Sequence, residues 1–234
     1  MIPIRRAKPL PVAFYNRDPR RVARALLGKL VIRKTPRTIL AGRIVETEAY
    51  LGTGDAAAHS ASGKTARNAV LFGPPGLAYV YFIYGNYYCL NVSCLPDGVA
   101  GGVLFRALEP LAGVKEMAAA RGLEVMGADD LKNVNWLRKI SSGPGRLCEA
   151  LDVTRERDNG KNLMSARSDL QIVDDGYRVR RVLVGPRIGI TKSAAEQLRY
   201  VIADNPFVSV PMPKPISKPK SEPVSRSKSA PVKA

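Results

Sequence analysis

The stretch GRIVETEAYLGTGDAAAHS, residues 42–60, holds two glutamates, a tyrosine and the only histidine of the chain. Its first half alternates like a β-strand, which places Glu46, Glu48 and Tyr50 on one side and Val45, Thr47 and Ala49 on the other. A carboxylate beside an aromatic on a strand is either part of a solvated face or the wall of a site. In a site it can accept a proton and stabilise positive charge as it develops. Glycoside hydrolysis also uses paired carboxylates, but two on one strand have little freedom to flank a sugar from opposite sides.

A second segment, GLAYVYFIYGNYYCLNVSC, is rich in aromatic and β-branched residues and reads as two strands joined by a tight turn at Gly85–Asn86. Strand periodicity puts Tyr79 and Tyr81 on one face and Tyr84 at the hairpin tip, where burial in the protein's own core is hard to arrange. On the return strand Leu90 and Val92 suit the core, which directs Asn91 to the opposite face. Tyr79, Tyr87 and Tyr88 read as packing residues. Neither GPPG at 73–76 nor GPG at 143–145 has the spacing of a dinucleotide or P-loop fingerprint. The second does put Arg146 and small residues at the start of a helix, where free backbone N–H groups make a candidate phosphate contact. An ordinary helix start explains it equally well.

The elements that must position these residues read as follows. Asp18 caps a helix that Pro19 opens and Gly28 ends, with Val22, Ala25 and Leu26 as its apolar stripe. Strands follow at about 29–33 and 39–49, separated by TPRT, then the aromatic hairpin and GGVLFRALEPL. GVKEMAAARG, LKNVNWLRKI and RLCEAL read as helices. LQIVDDGYRVRRVLVG reads as a hairpin turning at Asp175–Gly176, and FVSV as a final strand. Antiparallel hairpins with helices segregated between them predict one α+β domain.

The 234 residues carry a formal charge of +17, which draws the surface toward a polyanion, nucleic acid first and an anionic membrane second. The last 24 residues hold six prolines, five serines and a net +5, and read as a disordered basic tail; subtracting +5 from +17 leaves +12 on residues 1–210. No apolar run is long enough to span a bilayer, and prolines at 3, 9 and 11 argue against a secretory signal. Cys89, Cys94 and Cys148 lack metal-ligand spacing, so reduced thiols in a cytosolic protein and a metal-free, monomeric chain are expected. A basic nucleic-acid-binding module without catalysis would account for the charge, tail and aromatics as well as an enzyme would. A ligand-sized pocket around Glu48, rather than an open sheet, would separate the two.

RIVETEAYLG, AAHS, ARN, PPG, YVYFIYGNYYCLNVS, LFRALEPL, GPRIGI and NPFVSV, in this order, resemble the alkyladenine DNA glycosylase family, also called 3-methyladenine or methylpurine DNA glycosylases. The similarity covers about Arg17 to Val210, which leaves residues 1–16 as an N-terminal arm and 211–234 as the tail. The resemblance implies a mixed, largely antiparallel curved sheet with surrounding helices and a hairpin that inserts into DNA. It also implies a monofunctional, cofactor-free enzyme of base-excision repair, cytoplasmic, or nuclear in a eukaryote. Its partner would be double-stranded DNA containing a damaged purine. Position by position, Glu48 matches the catalytic glutamate and Arg106 the arginine that helps hold the nucleophilic water. Tyr50 matches an aromatic that stacks on the extruded base, and His59 and Tyr81 the opposite wall. Asn91 matches the asparagine that screens the purine edge and Tyr84 the intercalating tyrosine. Ile190 falls where a main-chain carbonyl meets the water. The loop between His59 and Arg67–Asn68 is one residue shorter than in vertebrate members, a change at the pocket rim.

Overall fold

The computed structural model describes residue 4 and residues 7–83 and 85–212. Tyr84 and the tail from residue 213 lie outside the described residues. In chain order the elements are β1 (Lys8–Pro9), α1 (Val12–Tyr15), α2 (Pro19–Leu26), β2 (Leu30–Lys34), β3 (Ile39–Tyr50), β4 (Ala78–Ile83), β5 (Tyr87–Ser93) and β6 (Gly102–Ala112). There follow α3 (Val114–Ala120), α4 (Val134–Ser141), α5 (Pro144–Ala150), α6 (Arg155–Asp158), β7 (Leu170–Asp174), β8 (Val182–Gly185) and β9 (Arg199–Ile202).

The strands form one curled sheet in the order β1-β7-β2-β3-β6-β5-β4, with β9 and then β8 branching from β3. Every pairing among the described residues is antiparallel, so the sheet is not mixed as the resemblance implied. Strand β3 is its axis. One edge pairs with β6 along most of its length; the other pairs with β2 over Ile39–Arg43 and with β9 over Glu46–Glu48. The β3–β6 register shifts on both sides of Glu46, where the partner on the opposite edge changes. Helix α2 lies against β3, and α4 and α5 against β5 and β6.

Local chemistry explains the first elements. The Asp18 carboxylate accepts the Arg20 N–H at 2.8 Å and caps α2, Pro19 fills the first turn, and Val22, Ala23 and Leu26 are buried. Thr47 Oγ1 donates to the Ala23 carbonyl at 3.0 Å, which fixes the α2 side of β3 and turns Glu46, Glu48 and Tyr50 the other way. At the end of β3, Gly52 has φ +91°, and a Cβ there would stand 2.0 Å from the Ala100 carbonyl oxygen. Only glycine lets the chain leave the strand at this point.

Three expectations change. LQIVDDGYRVRRVLVG is not a hairpin: β7 pairs with β1 and β2, and β8 with β9. Asp175 instead forms a buried ion pair with Arg43 at 2.9 Å, and the Tyr177 ring covers the same guanidinium at 4.1 Å, drawing the chain off the sheet. FVSV is not a strand: Phe207 and Val208 are buried, but the Ser209 N–H is bound to Glu46 rather than to a ladder, and among the described residues the last strand is β9. LKNVNWLRKI breaks at Asn133, whose side chain accepts the Trp136 N–H and starts α4 after a 3-10 turn. The folded sheet also begins at Lys8, and Tyr15 is fully buried. The three cysteines are free and buried. Among the described residues no helix is long and apolar enough to cross a membrane.

Candidate functional site

Where β3 ends, the β4–β5 hairpin and the loops at 51–60 and 186–190 enclose a cavity of about 350 Å3. That volume suits one small flat ligand. Its lining includes Tyr50, His59, Tyr79, Tyr81, Asn91, Arg106, Ile188 and Ile190. Tyr50, His59, Tyr81, Asn91, Arg106 and Ile190, all matched through the resemblance, line it, whereas Glu46, Glu48 and Arg146 do not.

The aromatic side is built by the alternation of β4, which puts Tyr79 and Tyr81 on one face with ring centroids 5.5 Å apart. His59 comes to them from the loop after β3. Its ring lies 4.4 Å from Tyr81 in an edge-on contact, and its Nδ1 is 2.9 Å from the Tyr79 hydroxyl. Asn68, from ARN, donates to the His59 and Gly63 carbonyls at 2.9 Å and so braces that loop. Burial, with the Arg67 charge as a lesser cause, holds the His59 imidazole below its ordinary pKa and keeps it neutral. Asn91, opposite Tyr79 in the ladder, is buried and gives its NH2 to the Tyr79 carbonyl at 3.2 Å, which fixes its amide at the cavity wall.

Glu48 is 0% exposed and sits behind the cavity floor. Three groups that line the cavity hold it: the Tyr50 hydroxyl donates to Oε2 at 3.0 Å, the Ile188 N–H to Oε1 at 2.8 Å, and Arg106 Nη1 is 3.3 Å from Oε1. Burial raises its pKa; Arg106, the Ile188 N–H and Tyr50 pull it down, and the net shift is upward. The Tyr50 hydroxyl is itself raised by burial and by Glu48, so it remains a donor.

Glu46 is equally buried but faces a different set of partners. It accepts from Arg106 Nε at 3.1 Å, Arg199 Nε at 2.7 Å and the Ser209 N–H at 2.6 Å. Arg106 therefore bridges the two carboxylates. Neither glutamate belongs to a solvated face, and the site that Glu48 backs is a cavity rather than an open sheet.

Other residues of the site were read differently in the sequence or not singled out there. Tyr79, read as packing, is both packed and part of the cavity wall. Arg187, inside GPRIGI, places its guanidinium 4.6 Å from the Tyr50 ring centre. Its partner Asp55 and the Glu46 partner Arg199 had no signal beyond lying in or near the quoted motifs. Arg146 is exposed at the start of α5, two residues after Pro144, which lines the cavity; Gly143 supplies no side-chain cap there. Among the described residues no group of His, Cys, Asp and Glu could hold a metal ion.

Comparison with known proteins identifies the family of the chain. The sequence signature of the family described as Methylpurine-DNA glycosylase (MPG) matches residues 13–206. A Koribacter versatilis (strain Ellin345) protein named "Putative 3-methyladenine DNA glycosylase" is 68% identical over 201 residues, 86% of this chain and 93% of its own. A protein of the same name from Burkholderia cenocepacia (strain HI2424) is 44% identical over 206 residues, 88% of this chain and 93% of its own. One from Methanocella arvoryzae is 43% identical over 190 residues, 81% and 88% of the two chains. With the signature spanning most of the fold and relatives this similar over nearly their whole length, the chain belongs to the methylpurine-DNA glycosylase family.

Proposed function

We propose that this protein is a monofunctional DNA glycosylase that extrudes a damaged purine from duplex DNA and hydrolyses its N-glycosidic bond with a water activated by Glu48. The observation that carries the reading is the buried Glu48 carboxylate, held behind the floor of an aromatic cavity by Tyr50, Arg106 and Ile188, which line it. Family membership and the names of the relatives support it.

A base inside a duplex cannot be reached by a hydrolytic group, so extrusion comes first and contacts in the pocket must offset the lost stacking. Tyr50 on one side, and Tyr81 with His59 on the other, offer stacking surfaces, each worth about 1–3 kcal/mol per base. A base made cationic by alkylation gains a cation–π contribution and is a better leaving group than a neutral purine. The role that the resemblance carries over to Tyr84 is to fill the space the base leaves. The net charge of +17, with exposed Arg67, Arg146 and Lys192 close in sequence to rim residues, favours the phosphate backbone.

In the chemical step a water held by Glu48, Arg106 and the Ile190 carbonyl attacks the anomeric carbon of the sugar. The C–N bond breaks, its electron pair leaves with the base, and Glu48 takes the water's proton. The same negative charge stabilises the oxocarbenium-like transition state. No amine nucleophile takes part, so the product is an intact abasic strand without lyase cleavage. The reaction draws on no cofactor, and one polypeptide suffices.

The test is single-turnover release of 3-methyladenine, 7-methylguanine, hypoxanthine and ethenoadenine from matched duplexes, with and without a chelator. Release of at least one base, leaving an alkali-labile site and unaffected by chelation, is the expected result. DNA binding without release of any base would instead make the chain a binding module.

A further inference from the structure

Asp55 and Arg187 form an ion pair in which both side chains are wholly buried, with Nη1–Oδ2 at 2.5 Å and Nη2–Oδ1 at 2.9 Å. Neither lines the cavity, so neither is placed to touch a ligand. Taking two charges out of water is costly, and the geometry must supply strong compensation. Here it does: Asp55 also accepts the Leu51 N–H at 3.1 Å and the Ala57 N–H at 3.0 Å, and Arg187 Nη1 donates to the Ala49 carbonyl at 3.1 Å.

These bonds tie three pieces of chain to one point: the end of β3 at Ala49, the loop 51–57 that leads to His59, and the segment after β8 that leads to Ile190. Two contacts carry the constraint into the site. The Arg187 guanidinium covers the Tyr50 ring at 4.6 Å, and the next residue in the chain, Ile188, gives its N–H to Glu48.

We infer that the Asp55–Arg187 pair is the positioning device of the base pocket, holding the Tyr50 ring in its stacking orientation and aiming the Ile188 N–H at Glu48. This rests on the function proposed above for Tyr50 and Glu48. Without the pair, the ring would have to be ordered when the base arrives, which weakens capture. The 186–190 segment would also lose its anchor, and Glu48 would lose a donor that favours its anion.

The test uses the full chain and two variants. Asp55→Asn combined with Arg187→Gln removes both charges together while leaving an acceptor for the Leu51 and Ala57 N–H groups. Arg187→Lys keeps the charge but not the two-pronged geometry. Three quantities are read: hydrogen exchange at the Ile188 amide against that of β5 and β6 amides, the saturating single-turnover rate with its half-saturating enzyme concentration, and the acid limb of the pH–rate profile. The double variant is expected to exchange Ile188 about tenfold faster or more while the β5 and β6 amides keep their protection. Its saturating rate should fall roughly tenfold or more, its half-saturating concentration rise, and its acid limb move to higher pH. Arg187→Lys should lie between it and the wild type.

Exchange that rises equally everywhere, with rate and acid limb corrected for the folded fraction unchanged, would reduce the pair to a general stabiliser and overturn the proposal. Local exchange at Ile188 with an unchanged rate and limb would overturn it as well. Should the double variant not fold, Arg187→Lys carries the same three readouts. Should the wild type release no base, the function proposed above fails instead, and Ile188 exchange alone decides whether the pair holds the segment.

Discussion

Arg106 Nη1 lies 3.3 Å from Glu48 Oε1 while the same guanidinium donates through Nε to Glu46 at 3.1 Å, so one arginine on β6 serves two buried carboxylates on β3. The two acids differ in their other partners. Glu46 spends its oxygens on Arg199 and Ser209, away from the cavity; those of Glu48 are held by groups that line it.

This division predicts different outcomes for the two glutamines. Glu48→Gln should lower the saturating rate of base release by about a hundredfold or more, the scale of a lost general base, with affinity for duplex DNA unchanged. Glu46→Gln should act mainly on stability. Removing one member of a buried ion pair costs about 3–5 kcal/mol, and Arg199 would be left without its anion. Single-turnover kinetics beside filter binding and thermal melts distinguish the two. Full activity in Glu48→Gln would remove it from the mechanism.

The pH–rate profile should carry the sign of the Glu48 shift. Burial holds this carboxyl above the ordinary glutamate value of 4.5, and the reaction needs its anion, so the rate should rise with pH through a midpoint above 4.5. The same shift has a stability consequence. The folded state binds this proton more tightly than the unfolded state, so ionisation of Glu48 destabilises the fold as pH rises past 4.5. The Tm of Glu48→Gln minus that of the wild type should therefore grow between pH 4 and pH 7, as about-unit steps of a melt series would show.

Asn91 should govern discrimination rather than rate. Its amide is fixed to the Tyr79 carbonyl at the cavity wall, and the exocyclic amino group of guanine would meet it where hypoxanthine has only hydrogen. A buried donor left without a partner costs roughly 1–3 kcal/mol, or about five- to a hundredfold in rate. Asn91→Ala should narrow the ratio of hypoxanthine to guanine excision while non-specific DNA affinity stays the same. An unchanged ratio in a folded variant would place selectivity in base-pair stability or bond lability.

Asp158 offers a test of the fold independent of the site. Its side chain is wholly buried among Arg33 at 2.7 Å, Lys161 at 2.7 Å and Arg157 at 3.3 Å. Burial pushes its carboxyl up, but hydrogen bonds from Arg33 and Lys161 outweigh it and leave the pKa below the ordinary 3.8. A depressed acid stabilises the fold above its unfolded pKa, and that contribution is lost as pH falls through the folded value. Asp158→Asn should lower Tm at pH 7 by about 6–20 °C, from about 3–5 kcal/mol at roughly 2–4 °C each. The difference should shrink as the wild type is titrated below 3.8.

Sequence alone determined the features that depend on neighbours along the chain. The Asp18–Pro19 helix start, the common phase of Glu46, Glu48 and Tyr50, and the shared face of Tyr79 and Tyr81 follow from capping and from a side-chain period of two. The motifs also carried the family. Tertiary structure decided which strand meets which edge, and therefore what surrounds each acid. LQIVDDGYRVRRVLVG has hairpin-like alternation and a good turn, yet its halves pair with different strands, β7 with β1 and β2 and β8 with β9. Alternation states which face is apolar but not which edge is adjacent, and ladder hydrogen bonds are equally available to many partners. The distinction between Glu46 and Glu48 arises the same way. They are two residues apart and share a face; beside the neighbouring Tyr50 hydroxyl on Glu48, it is Arg199, Ser209 and Ile188, brought in from 140 or more positions away, that set them apart. Local spacing cannot encode that difference, because long-range charge pairing forms only once the sheet has closed.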